Sequence, residues 1–149
     1  MKSYLLPDFL HGKIDEATYV RWLRRKAAAH VKRDRKRSDD QIMGERYRRL
    51  MHEAVNRSGG RDHYTGEELR WELLSTYDNE ASRADRSAYK ATLALLPTVD
   101  HVPGADGKYD FVICAWRTND AKNDLSHDEF IGLCRRVIAH HESQKAVTE

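Results

Sequence analysis

One stretch limits the folds open to this chain. Residues 98–126 read T-V-D-H-V-P-G-A-D-G-K-Y-D-F-V-I-C-A-W-R-T-N-D-A-K-N-D-L-S. Residues 98–102 alternate and are rich in β-branched side chains, as a strand with two different faces requires. Pro103-Gly104-Ala105-Asp106-Gly107 supplies a turn. Residues 109–116 hold the apolar run Phe111, Val112, Ile113 and Cys114, which predicts a second strand. Two strands joined so closely form an antiparallel ribbon. A lone ribbon is marginal in water, so this one must be packed against helices. A short polar helix is expected over 118–123, and Ser126 with Glu129 has the capping-box spacing that opens another.

The rest of the chain has helical period. Tyr19, Trp22, Leu23, Ala27, His30 and Val31 recur every three or four residues after the Gly12 break, so they share one face. Ile42, Tyr47, Leu50, Met51, Ala54 and Val55 stripe a second helix over 38–56, which ends at Ser58-Gly59-Gly60. Thr65 and Glu68 repeat the capping-box spacing and predict a third helix carrying Leu69, Trp71, Leu73 and Leu74. Asp62 and His63 are expected in a solvated loop ahead of it. Tyr89, Leu93 and Leu96 stripe a fourth helix that Pro97 stops. Phe130, Ile131, Leu133, Cys134, Val137 and Ile138 are expected to be the core face of the last helix. The fold class is therefore α+β, mainly helical with a C-terminal ribbon-and-helix unit. At 149 residues a single domain is expected: a basic helical extension over about 1–60, then a core with flanking helices over about 61–142.

Charge distribution says more than the net charge of +2. From Arg21 to Arg37 the sequence places Arg21, Arg24, Arg25, Lys26, Lys32, Arg33, Arg35, Lys36 and Arg37 against the single acid Asp34. Such asymmetry suggests a surface facing a polyanion, with a solvated helix face as the alternative. No apolar run is long enough to span a bilayer, and the N-terminus lacks a signal-peptide core, so a cytoplasmic location is expected with no membrane partner. The two cysteines, Cys114 and Cys134, form no C-x-x-C pair; a thiolate-rich structural zinc site is excluded on count and reduced thiols are expected.

Asp100 beside His101 combines two kinds of chemistry. A carboxylate is a hard oxygen ligand for a divalent cation, and an imidazole titrating near neutrality can take a proton from water. Adjacent strand residues point to opposite faces, so a twist or bulge at the strand end is expected to bring both to one site. Asn119, on the following helix, can supply a second neutral oxygen.

Asp-His, turn, strand and Asn119-x-x-Lys122-Asn123 in close succession resemble the core of the HNH endonucleases, the ββα-metal or His-Me finger nucleases. Tyr64-Thr65-Gly66-Glu67 is similar to a segment found ahead of that core in members without zinc-binding cysteines. The resemblance covers the last third of the chain well and the middle weakly. It implies a C-terminal ββα-metal hairpin unit and hydrolysis of DNA phosphodiester bonds to leave a 5′-phosphate. His101 would be the general base, and Asp100 and Asn119 the ligands of one divalent metal, Mg2+ or alternatively Mn2+ or another divalent ion. The family often has Asn at a middle position that braces the loop carrying the His. Here Asp106 or Asp110 would serve, with Asp110 preferred. Asn123 and His127 are rival third-element candidates, His127 also being explained as a helix-start residue. Lys122 and Arg117 could contact phosphate, and Arg21, Arg24, Arg25, Lys32, Arg33, Arg35, Lys36 and Arg37 would hold the backbone. The alternative is a non-catalytic nucleic-acid-binding module on the same scaffold.

Overall fold

The structure is a computed structural model that describes residues 4–35, 44–75, 91–105 and 107–148. Lys36, Arg37, Asp106 and most of the fourth predicted helix lie outside the described residues. The chain divides into two compact units, residues 1–119 and 120–149.

The first unit is built on two helices and the ribbon. A 3-10 turn at Asp8–Leu10 leads into α1, Glu16–Arg35. Asp15 caps α1 by accepting the Thr18 N–H at 2.6 Å. The helix buries Tyr19, Trp22, Leu23, Ala27, His30, Val31 and Asp34, which is the predicted apolar stripe extended by one acid. Helix α2, Gly44–Ser58, buries Tyr47, Met51, Ala54 and Val55. It stops where Gly59 and Gly60 take positive φ, a conformation that suits glycine. At Gly60 a side chain would be both strained and crowded: an added Cβ would lie 3.2 Å from the Phe9 ring and 3.4 Å from Trp71 Nε1.

Strand β1, Pro97–Pro103, pairs antiparallel with β2, Tyr109–Ala115. The register runs residue for residue from Pro97↔Ala115 through Asp100↔Val112 and His101↔Phe111 to Pro103↔Tyr109. Val99, Phe111, Ile113 and Ala115 join the α1 and α2 stripes in one apolar core with Trp22 and Trp71. Both helices of the basic N-terminal third thus cover the ribbon's apolar face. Strand β2 runs directly into α3, Trp116–Lys122.

Helix α4, His127–Thr148, makes up most of the second unit. Its start follows the predicted capping box: Ser126 Oγ accepts the Glu129 N–H at 3.2 Å and Glu129 Oε2 accepts the Ser126 N–H at 2.8 Å. The expected core face of this helix is not observed, since α4 has no buried residue and Val137 is 60% exposed. An apolar stripe states what a helix can bury, and covering it requires a surface that periodicity does not supply.

The third predicted helix is also absent. Thr65 does not cap a helix; its hydroxyl donates to Asp62 Oδ2 at 3.1 Å and accepts the Glu67 N–H. Glu68 instead pairs with Lys13 at 3.0 Å, and Arg61 and Glu68 form an isolated antiparallel bridge. The segment is a loop closed on itself, followed by a 3-10 turn at Trp71–Ser75. The observed class is α+β and mainly helical, with one two-stranded antiparallel sheet among the described residues. No helix of the described residues is long and apolar enough to cross a membrane.

Candidate active site around the Asp100–His101 pair

Regular pairing fixes where Asp100 and His101 go. With no bulge in the register, the two side chains leave β1 on opposite faces. The expected convergence by a twist or bulge does not occur. His101 takes the face of Val99 and Phe111, and Asp100 the face of Thr98.

His101 lies in an aromatic seat. Its ring stacks on Phe111, directly across the register, with centroids 5.0 Å apart and planes at 28°. The edge of His30 meets it at 4.6 Å and Tyr109 at 4.9 Å. Nε2 lies 2.9 Å from Asp34 Oδ2, an ion-pair distance, although its N–H is off the line of a hydrogen bond. The distance governs the electrostatics. The same Oδ2 accepts the Tyr47 hydroxyl at 2.6 Å. Asp34 is 3% exposed, so its charge is taken out of water and met by these two groups.

Burial pushes the His101 pKa below the ordinary imidazole value; Asp34 opposes that and Arg33 adds to it. The ring is therefore neutral near pH 7 and able to accept a proton. His30 is held lower still, to about 3, chiefly by burial, then by His101, Arg33 and Lys26. It donates to the Val99 carbonyl and stays uncharged.

On the other face, Asp100 Oδ2 accepts the Tyr64 hydroxyl at 2.6 Å. Burial, then the hydrogen bond and charge of Asp100, push the Tyr64 pKa up, so it remains a donor. Tyr64 belongs to the loop that Asp62 organises. Asp62 was expected in solvent, yet it is 2% exposed. Its carboxylate accepts the Tyr64 N–H, the Thr65 hydroxyl and the Thr118 hydroxyl of α3. Three donors replace water, which is why an acid in a turn is buried here. His63 is exposed as expected.

Asn119 lines a cavity of about 280 Å³ together with Thr98, Trp116, Arg25 and Lys26. Thr98 and Asp100 share a strand face by the period of two, but Asp100 is not among the residues that line this cavity. Lys26 donates to Thr98 Oγ1 at 3.1 Å, and burial, then Arg25, lowers its pKa to about 8. The oxygens of Asp100 and Asn119 suit a hard divalent cation. Among the described residues no three His, Cys, Asp or Glu side chains converge as a complete metal cage.

The other predicted residues fall as follows. Asp110 lies 3.7 Å from Arg57 of α2 and accepts the N–H of its neighbour Phe111 at the start of β2. Arg117 pairs with Glu67. Arg21, Arg24, Arg25, Lys32, Arg33 and Arg35 are all exposed on α1. Lys122 ends α3 and accepts the Leu125 N–H, and Asn123 follows with φ 52°, the left-handed position that ends a helix. His127 is the first residue of α4.

Asp34, Tyr47, Tyr64 and Lys26 were not singled out as site residues from sequence. The signal for Asp34 was present: it is the one acid of the basic run, and it falls four residues after His30 on the buried stripe. Comparison with known proteins adds no relative: no family model, curated protein or solved structure matches the chain.

Proposed function

We propose that this chain is a metal-dependent endonuclease of the HNH type, hydrolysing DNA phosphodiester bonds with His101 as general base. The observation that carries the reading is the seat of His101. A ring kept neutral by burial, 19% exposed, is held against the Phe111 face and edge-to-face with His30, beside a buried carboxylate. It stands next to Asp100 on the strand of a β-β-α succession whose helix carries Asn119. The resemblance to the HNH core rests on these residues themselves.

Asp100 and Asn119 would hold the cation, Mg2+ or another hard divalent ion. Bound there, it would supply stabilisation of the charge that builds on the phosphate and the leaving oxygen. Among the described residues β1 is paired on one edge only, so a phosphodiester served by both groups would have to lie along its other edge, with the oxygen ligands toward one face and the base toward the other. His101 accepts a proton from the attacking water. Arg25 and Lys26, beside Asn119, offer positive charge to neighbouring phosphate oxygens, and the exposed cations of α1 hold the backbone without reading sequence.

Incubating supercoiled plasmid with Mg2+ or Mn2+, with and without EDTA, tests the proposal. Nicking by the wild type that EDTA stops, and that His101→Ala abolishes while retaining DNA binding, is the expected result. Equal cleavage by His101→Ala removes the base from the assignment. Salt-dependent binding with no nicking by the wild type makes the chain a non-catalytic nucleic-acid-binding module.

A further inference from the structure

We infer that Asp34, itself held by Tyr47, positions the His101 ring and keeps the proton of the neutral ring on Nε2, leaving Nδ1 as the nitrogen that faces substrate. The inference rests on His101 being the general base.

It follows from which atoms are sealed. Nε2 of His101 is buried away from solvent, 2.9 Å from Asp34 Oδ2. A neutral imidazole carries one N–H and one lone pair. A lone pair on Nε2 would face the lone pairs of a carboxylate at contact distance, with no water to intervene. An N–H there lies 2.9 Å from an acceptor oxygen, off the line of a hydrogen bond but still attracted to the carboxylate, so the pairing favours the Nε2–H form. Nδ1 is then the nitrogen left with a lone pair for a water molecule.

The ring plane is fixed independently. Phe111 stacks beneath it and the edge of His30 meets it at 87°. Rotation that presented Nε2 to solvent would break both contacts. The carboxylate is fixed in turn by the Tyr47 hydroxyl, 2.6 Å from the same oxygen. Two helices of the N-terminal third thereby reach a base on the ribbon, and Asp34 acts through His101 without touching the reacting atoms.

The test uses the full chain labelled with 15N-histidine, its His101 signals assigned by their loss in His101→Ala. In the wild type at a pH where the ring is neutral, the nitrogen shifts should report a single Nε2–H tautomer. Asp34→Ala should convert this to a mixture and lower kcat on the order of 100-fold with KM little changed, as misorientation of a base does. Asp34→Leu is of similar size, offers no acceptor and replaces Asp34→Ala if the latter does not fold. An unchanged Nε2–H tautomer in the Asp34 variant overturns the inference. If the wild type nicks no plasmid, the endonuclease reading fails while the tautomer measurement still decides what Asp34 does to the ring.

Discussion

Acid should unfold this protein through His30, and the size of the effect can be worked out. The ring is 4% exposed and its pKa is held at about 3, against an ordinary 6.5. Between those values the unfolded chain binds a proton at this position and the folded chain does not. Stability therefore falls as pH falls below about 6.5. Going from pH 7 to pH 5, one such group costs about 2 kcal/mol, a figure set by the unfolded pKa and insensitive to the folded one. Burial also lowers the pKa of His52 and of His101, which adds loss of the same sign. The comparison must therefore be with a variant that removes His30 alone. His30→Leu loses the hydrogen bond to the Val99 carbonyl, a cost that does not depend on pH. Urea unfolding followed by tryptophan fluorescence reports the right region, because Trp22 and Trp71 lie in the core of the first unit. Between pH 7 and pH 5 the wild type should lose about 2 kcal/mol more than His30→Leu. Equal losses would mean that the folded protein accommodates a charged His30, and the assignment of a dry, uncharged ring would be wrong.

Asp62→Ala should destabilise the first unit by about 3 kcal/mol, because Thr118 loses a buried acceptor and the Tyr64–Thr65 loop loses its centre; the urea midpoint measures it, and a loss under about 1 kcal/mol would mean that the loop is held elsewhere. Reversing Arg21, Arg24 and Arg25 to Glu should weaken duplex DNA binding and flatten its dependence on salt. A fluorescence-polarisation titration at several salt concentrations reads both, and an unchanged slope would place the DNA on another surface.

The ribbon was legible because everything that specifies it is local. Alternation, a Gly-rich turn and an apolar run are written within nineteen consecutive residues, and the observed register follows them from Pro97 to Ala115. The capping box at Ser126 was legible for the same reason. The identical spacing at Thr65 misled because a distant group competed for its parts. Lys13, 55 residues away, takes Glu68, while Asp62, tied to Thr118 across 56 residues, takes the Thr65 hydroxyl. A capping box is a pair of short hydrogen bonds of modest strength, and a buried carboxylate needing donors outweighs it. The α4 stripe misled differently: its period forms a helix, but periodicity carries no information about a partner surface.

Asp34 exposes the limit and also a way past it. On α1 every cation except Lys26 lies on an exposed face, where its charge stays in water. An acid among them has two available explanations, and its position separates them. Were it there to temper surface charge, it would sit on an outward face. It sits instead on the stripe of Trp22, Leu23, Ala27, His30 and Val31, where burying a carboxylate is costly unless donors await it. A polar residue on an apolar stripe therefore announces partners elsewhere in the chain, and here they are Tyr47 of α2 and His101 of β1. One helix then serves the proposed reaction twice. Under that proposal its outer face would attract the backbone to be cut, while its inner face holds the His101 ring through Asp34.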